Sequence, residues 1–290
     1  MQPLPNVVTP AWLAAHLNQP NLVIVDCRFS LAEADLGRQQ YQAGHIPGAW
    51  YLDLNRDLSS PVGRHGGRHP LPDWPTFRQV LETMGVSSQT PLGPTPVVAY
   101  DDSRFAFASR LWWLLKYLGH GAVAVLDGGW SAWHQGGYPV SLELPRVETG
   151  HFVPQPQPNW IVDIDTLRRR KDEPGVRLID SRSPERYRGE VEPIDPVAGS
   201  IPGAVNYFWQ ADVRDESDRE GMRIVIGAWK SPAEQRDRFD PLCKDGSRNE
   251  VIVYCGSGVT ACVNLLSQAV AGKPMGKLYV GGWSDWCSYL

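Results

Sequence analysis

The chain of 290 residues repeats itself at an interval of about 154 residues. Four motifs of the first half return in the second half in the same order: residues 22–28 as 176–182, 44–49 as 199–204, 97–101 as 251–255, and 128–133 as 281–286. An interval this long exceeds any solenoid unit, so each copy must be a whole domain. We therefore predict two domains, at residues 1–145 and 156–290, with a proline-rich linker between them.

Within each half, short apolar runs alternate with helical stretches. Helix starts are indicated by Thr9 followed by Pro10 and, in the second copy, by Asp163. Predicted strands lie at residues 22–25, 122–126, 176–179 and 277–280, and predicted helices at residues 103–118 and 259–270. This alternation is typical of an α/β fold in which a central parallel sheet carries helices on both faces.

The stretch around Cys255 is the strongest indication of chemistry. Strand-like residues 251–254 deliver Cys255 to the carboxyl end of a strand, where ligands bind in such sheets. Gly256, Ser257 and Gly258 then permit a tight loop before a helical run. Backbone N–H groups of such a loop and of a helix start bind anions and favour a reactive thiolate. A buried structural cysteine is the alternative, but it would not need a backbone curled around its sulfur.

The first copy differs at this loop. Asp101 stands where Cys255 stands, and residues 102–105 lack both glycines. The strand is shared but the thiol is not, so we predict one site per chain and a catalytically inactive first domain.

These motifs resemble those of the two-domain rhodanese-type sulfurtransferases over almost the whole chain. Both copies have a Gly-x-Ile-Pro-Gly-Ala turn and a Gly-Gly-Trp turn, and only the second has Cys-Gly-Ser-Gly-Val-Thr-Ala. The loop is similar to that of 3-mercaptopyruvate sulfurtransferases, whereas thiosulfate sulfurtransferases usually place Arg and Lys after the cysteine. The resemblance implies two tandem rhodanese-like domains, and a Cys255 persulfide that passes sulfur to a thiol, thioredoxin or cyanide. No metal and no organic cofactor is implied.

The resemblance also implies roles for other residues. Ser257, His69 and Asp53 would form a proton relay, and His is suited to that role near neutral pH. The donor-binding residues would be Arg186, Gly256, Gly258, Val259 and Thr260. Without the resemblance, His69 would be interpreted as a loop histidine, Asp53 as a turn residue and Arg186 as a solvated side chain. Arg182 and Arg188 lie close to Arg186 in the sequence and are alternatives for the donor-binding role.

The preferred sulfur donor stays open. The neutral pair Gly256–Ser257 offers little charge to a dianion such as thiosulfate and therefore favours a carboxylate donor. However, mercaptopyruvate enzymes usually carry a second arginine after Glu-Pro, and here Ile194 follows Glu192 and Pro193. This replacement keeps thiosulfate as an alternative donor.

Two other functions compete with sulfur transfer. A cysteine phosphatase uses a similar loop with Arg six residues after the cysteine, but Ala261 occupies that position here. A non-catalytic persulfide carrier would use the same cysteine, but it would not need the relay residues.

Composition limits the partners and the compartment. A net charge of −4 gives no reason to expect nucleic acid or an acidic membrane. The apolar region at residues 105–126 is interrupted by charged side chains, and the N-terminus shows no targeting segment. Five cysteines form no disulfide framework. We expect a cytoplasmic monomer acting on a small-molecule donor, with Cys262 either in the core or in a regulatory disulfide.

Overall fold

A computed structural model describes residues 4–146, 149–217, 224–243 and 250–290. The chain divides into two compact units, and both are discontinuous along the sequence. The first unit comprises Met1–Ser59, Pro72–Pro156 and Arg214–Trp229, and the second comprises Ser60–Leu71, Gln157–Val213 and Lys230–Leu290. A short segment of each copy of the repeat therefore belongs to the unit built around the other copy.

The first unit is built on a parallel sheet. Its strands are β1 (Val7–Val8), β2 (Val23–Asp26), β3 (Ala49–Tyr51), β4 (Val97–Tyr100) and β5 (Val123–Leu126). Its helices are α1 (Pro10–His16), α2 (Leu36–Ala43), α3 (Trp74–Thr83), α4 (Ala108–Tyr117) and α5 (Gly129–Gln135). The strand order is β1-β5-β4-β2-β3, and every neighbouring pair is parallel.

The second unit repeats this arrangement. Its helices are α6 (Ile164–Arg170), α7 (Pro184–Arg188), α8 (Pro232–Phe239), α9 (Ala261–Val270) and α10 (Gly282–Cys287). In the described part of the chain, the other strands are β6 (Ile161–Val162), β7 (Val176–Asp180), β8 (Val205–Asn206), β9 (Val213–Ser217), β10 (Ile224–Trp229), β11 (Glu250–Tyr254) and β12 (Lys277–Tyr279). The parallel order β6-β12-β11-β7-β8 matches that of the first sheet, while β9 and β10 pair separately. The predicted α/β fold with two parallel sheets is confirmed.

Both predicted helix starts are also confirmed. The hydroxyl of Thr9 accepts a hydrogen bond from the Trp12 N–H at 3.1 Å, and Pro10 is the first residue of α1. The carboxylate of Asp163 accepts from the Thr166 N–H at 2.7 Å at the start of α6. Each cap satisfies an amide that has no partner inside its helix, which contributes about 1 kcal/mol.

The most apolar stretch of the chain is core. Residues 105–126 include α4 and β5, and nearly all side chains of these two elements are buried. No helix in the described ranges combines the length and apolarity needed to cross a membrane.

Candidate active site

Cys255 lies where β11 ends, at the carboxyl edge of the second sheet. It is a reduced cysteine with 2% of its surface exposed. The loop from Cys255 to α9 turns at Gly258, whose φ of +73° is a left-handed conformation that favours glycine. A Cβ atom at Gly258 would also collide with the backbone carbonyl of Val280. The tight loop predicted from the glycines is therefore present.

The repeated Gly-Gly-Trp turn brings the next helix against this loop. The Trp283 N–H donates to the Cys255 carbonyl at 2.8 Å. Gly282, with φ of +62°, lies so close that a Cβ atom there would overlap the same carbonyl. In the first unit the Trp130 N–H makes the equivalent bond to the Asp101 carbonyl at 2.9 Å. The turn has the same structural role in both copies, as a glycine-dependent close approach.

In the first copy, backbone amides of the loop bind the carboxylate of Asp101. The carboxylate of Asp101 is buried and accepts four backbone hydrogen bonds. One oxygen accepts from Ser103 and Phe105 at 2.8 and 3.0 Å, and the other from Phe107 and Ala108 at 2.9 and 2.8 Å. Because these amides turn toward Asp101, α4 begins at Ala108 and not at the predicted residue 103. Amides at this strand end therefore converge on a negative charge.

Two non-glycine residues of this loop adopt a left-handed backbone conformation. Arg104 and Phe105 have φ of +54° and +67°. A non-glycine residue in the left-handed region costs about 1 kcal/mol or more. By the repeat interval these two residues correspond to Gly258 and Val259. The second copy therefore has a glycine at the first of the two strained positions.

Burial affects the charge of this aspartate. It raises the pKa of Asp101 to about 6, although the hydrogen bonds from the Ala108, Ser103 and Phe107 amides lower it in part. The carboxylate thus stays mostly ionised at neutral pH, at a cost to folding.

The structure brings two of the three relay residues together. Ser257 Oγ and His69 Nδ1 are hydrogen-bonded at 2.7 Å, and both side chains are buried. Asp53 belongs to the other unit, where its carboxylate accepts from the N–H groups of Asn55 and Arg56 at 2.8 and 3.0 Å. Its part in a relay stays a prediction.

His69 reaches the second unit through the segment Ser60–Leu71. Two bonds fix this segment along α10: the Gly66 N–H donates to Asp285 at 2.6 Å, and the Arg68 N–H donates to the Ser284 hydroxyl at 3.0 Å. The other carboxylate oxygen of Asp285 accepts from the Tyr279 hydroxyl at 2.7 Å. Asp285 thus orients the backbone that carries His69.

Arg186, the predicted donor-binding arginine, lies on α7. It donates to Glu192 at 2.6 and 3.2 Å and to Asp195 at 3.3 Å. Burial by itself raises the pKa of Glu192, but the hydrogen bond from Arg186 and the N–H groups nearby lower it below its ordinary value. Two almost fully buried carboxylates therefore hold a guanidinium that is itself 17% exposed.

The two competing arginines have other roles. Arg182 is 1% exposed and donates to both carboxylate oxygens of Asp180, as Arg28 does to those of Asp26 in the first copy. Arg188 is half exposed and pairs with Glu190. A pair conserved in both copies is structural, and an exposed pair contributes little.

A second guanidinium, which the sequence reasoning missed, lies beside the loop. A Cβ atom on Gly256 would be 2.9 Å from Arg68 Nη2, 3.6 Å from Arg186 Nη2 and 3.7 Å from Arg186 Nη1. Arg68 also forms an ion pair with Asp195. The sequence did contain a signal, since Arg68 directly precedes His69. Positive charge beside the neutral Gly256–Ser257 pair therefore comes from Arg68 as well as from Arg186.

The other residues singled out in the sequence differ in how deeply they are buried. Val259 is buried and Thr260 is half-buried at the start of α9. Cys262 is fully buried, and its thiol donates to the Gly258 carbonyl at 3.4 Å. Ile194 is 46% exposed. Donor binding by Val259 and Thr260, and a regulatory disulfide at Cys262, stay predictions.

Comparison with known protein families agrees with the repeat and the loop. The model of the rhodanese-like domain matches twice, at residues 9–136 and 163–289. The chain belongs to the rhodanese family. Both copies of the repeat in this rhodanese-family protein are therefore rhodanese-like domains.

Relatives match along almost the entire length. A probable 3-mercaptopyruvate sulfurtransferase of Pseudomonas aeruginosa is 41% identical over 283 residues, covering 97% of this chain and 94% of the relative. A proposed thiosulfate sulfurtransferase, SseB of Mycobacterium tuberculosis, is 36% identical with the same coverage of both chains. The crystal structure of SseA from Escherichia coli superposes with a TM-score of 0.77 at 30% identity, covering 97% of this chain and 99% of that one.

Proposed function

We propose that this rhodanese-family protein is a sulfurtransferase that takes sulfur from 3-mercaptopyruvate and carries it on Cys255. The observation that carries the proposal is the pair of loops. In the first copy the loop amides bind the Asp101 carboxylate, and in the second a cysteine stands at the same strand end. Amides so arranged would stabilise an anionic sulfur. The relatives from several organisms that are named 3-mercaptopyruvate sulfurtransferases support the choice of donor.

The first half-reaction loads the enzyme. The Cys255 thiolate attacks the sulfur of 3-mercaptopyruvate, so that a new S–S bond forms and the C–S bond breaks. The electron pair of the broken bond passes to the enolate of pyruvate. A proton then moves from the new persulfide to the enolate carbon, which leaves pyruvate and a persulfide anion on Cys255.

The second half-reaction unloads it. A thiolate, from a small thiol or from thioredoxin, attacks the outer sulfur and leaves with it as a persulfide, and Cys255 returns to the thiolate. Cyanide does the same and leaves as thiocyanate. All electrons come from donor and acceptor, so the exchange needs no further oxidant or reductant.

The hydrogen-bonded pair Ser257–His69 supplies a path for the proton that moves between sulfur and enolate. A histidine can accept and release it near neutral pH, and a hydroxyl 2.7 Å away can pass it on. We include Asp53 as the third member, which would hold the imidazole in one orientation. Gly256, Gly258, Val259 and Thr260 would line the sulfur with main-chain groups.

Steady-state kinetics with two donors tests this assignment. We expect kcat/KM for 3-mercaptopyruvate to exceed that for thiosulfate by at least about tenfold with the same thiol acceptor. The reverse order would transfer the assignment to thiosulfate.

Thiosulfate is the second candidate donor. The guanidinium groups of Arg68 and Arg186 beside Gly256 offer positive charge to a dianion. The M. tuberculosis relative is named as a thiosulfate sulfurtransferase. A protein that only carries persulfide between partners is a third candidate, which multiple turnovers of either donor would exclude. A cytoplasmic location and a monomeric state are part of the proposal.

A further inference from the structure

Charges of alternating sign run through the second unit toward the Cys255 loop. Each member contacts the next: Asp180 with Arg182, Arg182 with Glu192, Glu192 with Arg186, Arg186 with Asp195, and Asp195 with Arg68. This row of side chains contains three arginines and three carboxylates, so its charges cancel, and the carboxylates are at most 3% exposed. Only the arginines at the loop end, Arg186 and Arg68, keep exposed surface, at 17% and 25%.

Arg186 and Arg68 each keep N–H groups that are not used in their ion pairs, and these groups lie next to the Cys255 loop. Arg186 uses Nε and Nη2 on its carboxylate partners, and Arg68 uses Nη1. Among the described residues, Arg186 Nη1 and Arg68 Nη2 have no hydrogen-bond acceptor. Both nitrogens lie within 4 Å of the position that a Cβ on Gly256 would occupy. Two guanidinium nitrogens with unused N–H donors therefore lie beside Gly256, the residue that follows Cys255.

We propose that Arg68 is a specificity-determining residue that binds the donor carboxylate together with Arg186, and that Asp195 is the positioning residue that holds both guanidinium groups. The inference rests on the proposed sulfurtransferase function and names the groups that would recognise its substrate. A carboxylate has two oxygens, and one can accept from each arginine. The donor sulfur would then lie toward Cys255.

The proposal explains two features of the site. Gly256 has no side chain, and any Cβ would press against Arg68 Nη2 at 2.9 Å, so glycine keeps this space open for a ligand. Ile194, which follows Glu192 and Pro193, brings no charge to the site, and Arg68 supplies positive charge from a different part of the sequence.

The position of Arg68 is built into the fold. Its backbone N–H donates to the Ser284 hydroxyl, and the nearby Gly66 N–H donates to Asp285. Gly67, with φ of +81°, approaches the backbone of Gly281 too closely for any side chain. Arg68 is therefore carried by a backbone fixed at several points along α10, as a binding residue must be.

The test measures donor binding and turnover in Arg68→Ala, with Arg64→Ala as the matched control. Arg64 lies on the same segment but is exposed. For Arg68→Ala we expect the KM for 3-mercaptopyruvate to rise at least about tenfold, with kcat within about threefold, because one charged hydrogen bond to the substrate is lost. Arg64→Ala should match the parent protein. Arg68→Lys should lie between the two, since it keeps the charge without the planar fork.

A binding measurement separates this inference from the proposed function. Calorimetric titration of 3-mercaptopyruvate into Cys255→Ser, with and without Arg68→Ala, does not depend on turnover. A loss of affinity of at least about tenfold is expected. Equal affinity in the two proteins, with unchanged thermal midpoints, would overturn the role of Arg68. Absence of turnover in the parent protein would instead count against the proposed function alone.

The role of Asp195 is tested by its amide variant. Asp195→Asn should raise the KM for 3-mercaptopyruvate but leave almost unchanged the kcat/KM for mercaptoacetone, the donor analogue in which a methyl group replaces the carboxylate. A purely structural role would lower kcat/KM by the same factor for 3-mercaptopyruvate and for mercaptoacetone, and that result would contradict the proposal.

Discussion

The same strand end carries an aspartate in the first copy of the repeat and a cysteine in the second. In the first copy, the Asp101 carboxylate occupies the loop and accepts four amide hydrogen bonds of 2.8 to 3.0 Å. In the second copy, Cys255 has a single sulfur at the corresponding position. The comparison indicates that the loop at this strand end can serve two purposes. In the first copy it stabilises a buried carboxylate, and in the second copy we propose that it serves sulfur transfer. In the first copy a built-in carboxylate fills the loop, whereas the proposed function leaves the corresponding space in the second copy for a transferred sulfur.

The two copies also differ in what surrounds the loop. Asp285 in the second Gly-Gly-Trp motif fixes the backbone of Gly66 and hence the segment that carries Arg68 and His69. The first copy has Ala132 at the equivalent position. Under the proposed function, sulfur transfer in the second unit would therefore require the segment Ser60–Leu71 as well as the cysteine.

The largest effect is expected at the nucleophile. Cys255→Ser should reduce sulfur transfer from every donor by at least about a thousandfold, because a hydroxyl cannot form the persulfide. Adding Asp101→Cys to this variant should not restore activity, since the first copy lacks the surrounding groups. Steady-state assays of both variants check the expectation.

Cys262→Ser is the control for this pair. Its thiol is fully buried and donates to the Gly258 carbonyl, a bond that a hydroxyl can replace. Most of the activity should remain. Recovery of transfer by Asp101→Cys would break the comparison, because it would make the two loops equivalent.

The next largest effect concerns the proton path. Ser257→Ala should lower kcat by about a hundredfold, because it removes the hydroxyl bonded to His69. Ser103→Ala, at the same place in the first copy, should have no effect on kcat. Equal kcat values for the two variants would remove Ser257 from the mechanism.

A smaller effect is expected in donor binding. Arg186→Ala should raise the donor KM by at least about tenfold and affect persulfide discharge less, because the proposal gives its guanidinium a part in binding the donor and none in binding the acceptor. Arg188→Ala on the same helix removes an exposed pair and should change neither value. An unchanged KM in Arg186→Ala would place donor binding elsewhere.

The smallest effect on activity, and a measurable one on stability, concerns Asp101. Burial raises its pKa from the ordinary value of 3.8 to about 6. The folded protein therefore binds this proton more tightly than the unfolded chain does. The contribution of Asp101 to the free energy of unfolding should fall by about 3 kcal/mol as pH rises from about 4 to about 6, and stay constant above that.

Asp101→Asn cannot titrate in this range, so it provides the reference. Urea unfolding of both proteins between about pH 4 and pH 7 should show the difference in unfolding free energy changing across that window. A difference that is independent of pH would mean that the carboxylate is not buried as an anion among the amides. Sulfur transfer at neutral pH should be similar in the two proteins.

Most of the fold could be predicted because the repeat doubles every local signal. The strands ending at Asp101 and Cys255 and the capped helices after Thr9 and Asp163 follow directly from residue patterns. The late start of α4 could not be predicted. It depends on Arg104 and Phe105 adopting left-handed backbone, which only the tertiary arrangement around a buried carboxylate makes favourable.

The site was predictable where the residues lie close in sequence or match a family motif. Cys255, Ser257, Arg186 and His69 became candidates in this way, and the structure adds the hydrogen bond between Ser257 and His69. Arg68 was missed because its role depends on Ser60–Leu71 joining the second unit, and that long-range packing leaves no periodic pattern in the sequence.

The most direct test of the account locates the transferred sulfur. The protein is mixed with one equivalent of 3-mercaptopyruvate without acceptor, alkylated and analysed by fragment-ion mass spectrometry, while released pyruvate is counted. The account predicts one added sulfur on Cys255, none on Cys27, Cys262 or Cys287, and an equal amount of pyruvate. Sulfur on another cysteine, or pyruvate released without a Cys255 persulfide, would contradict it.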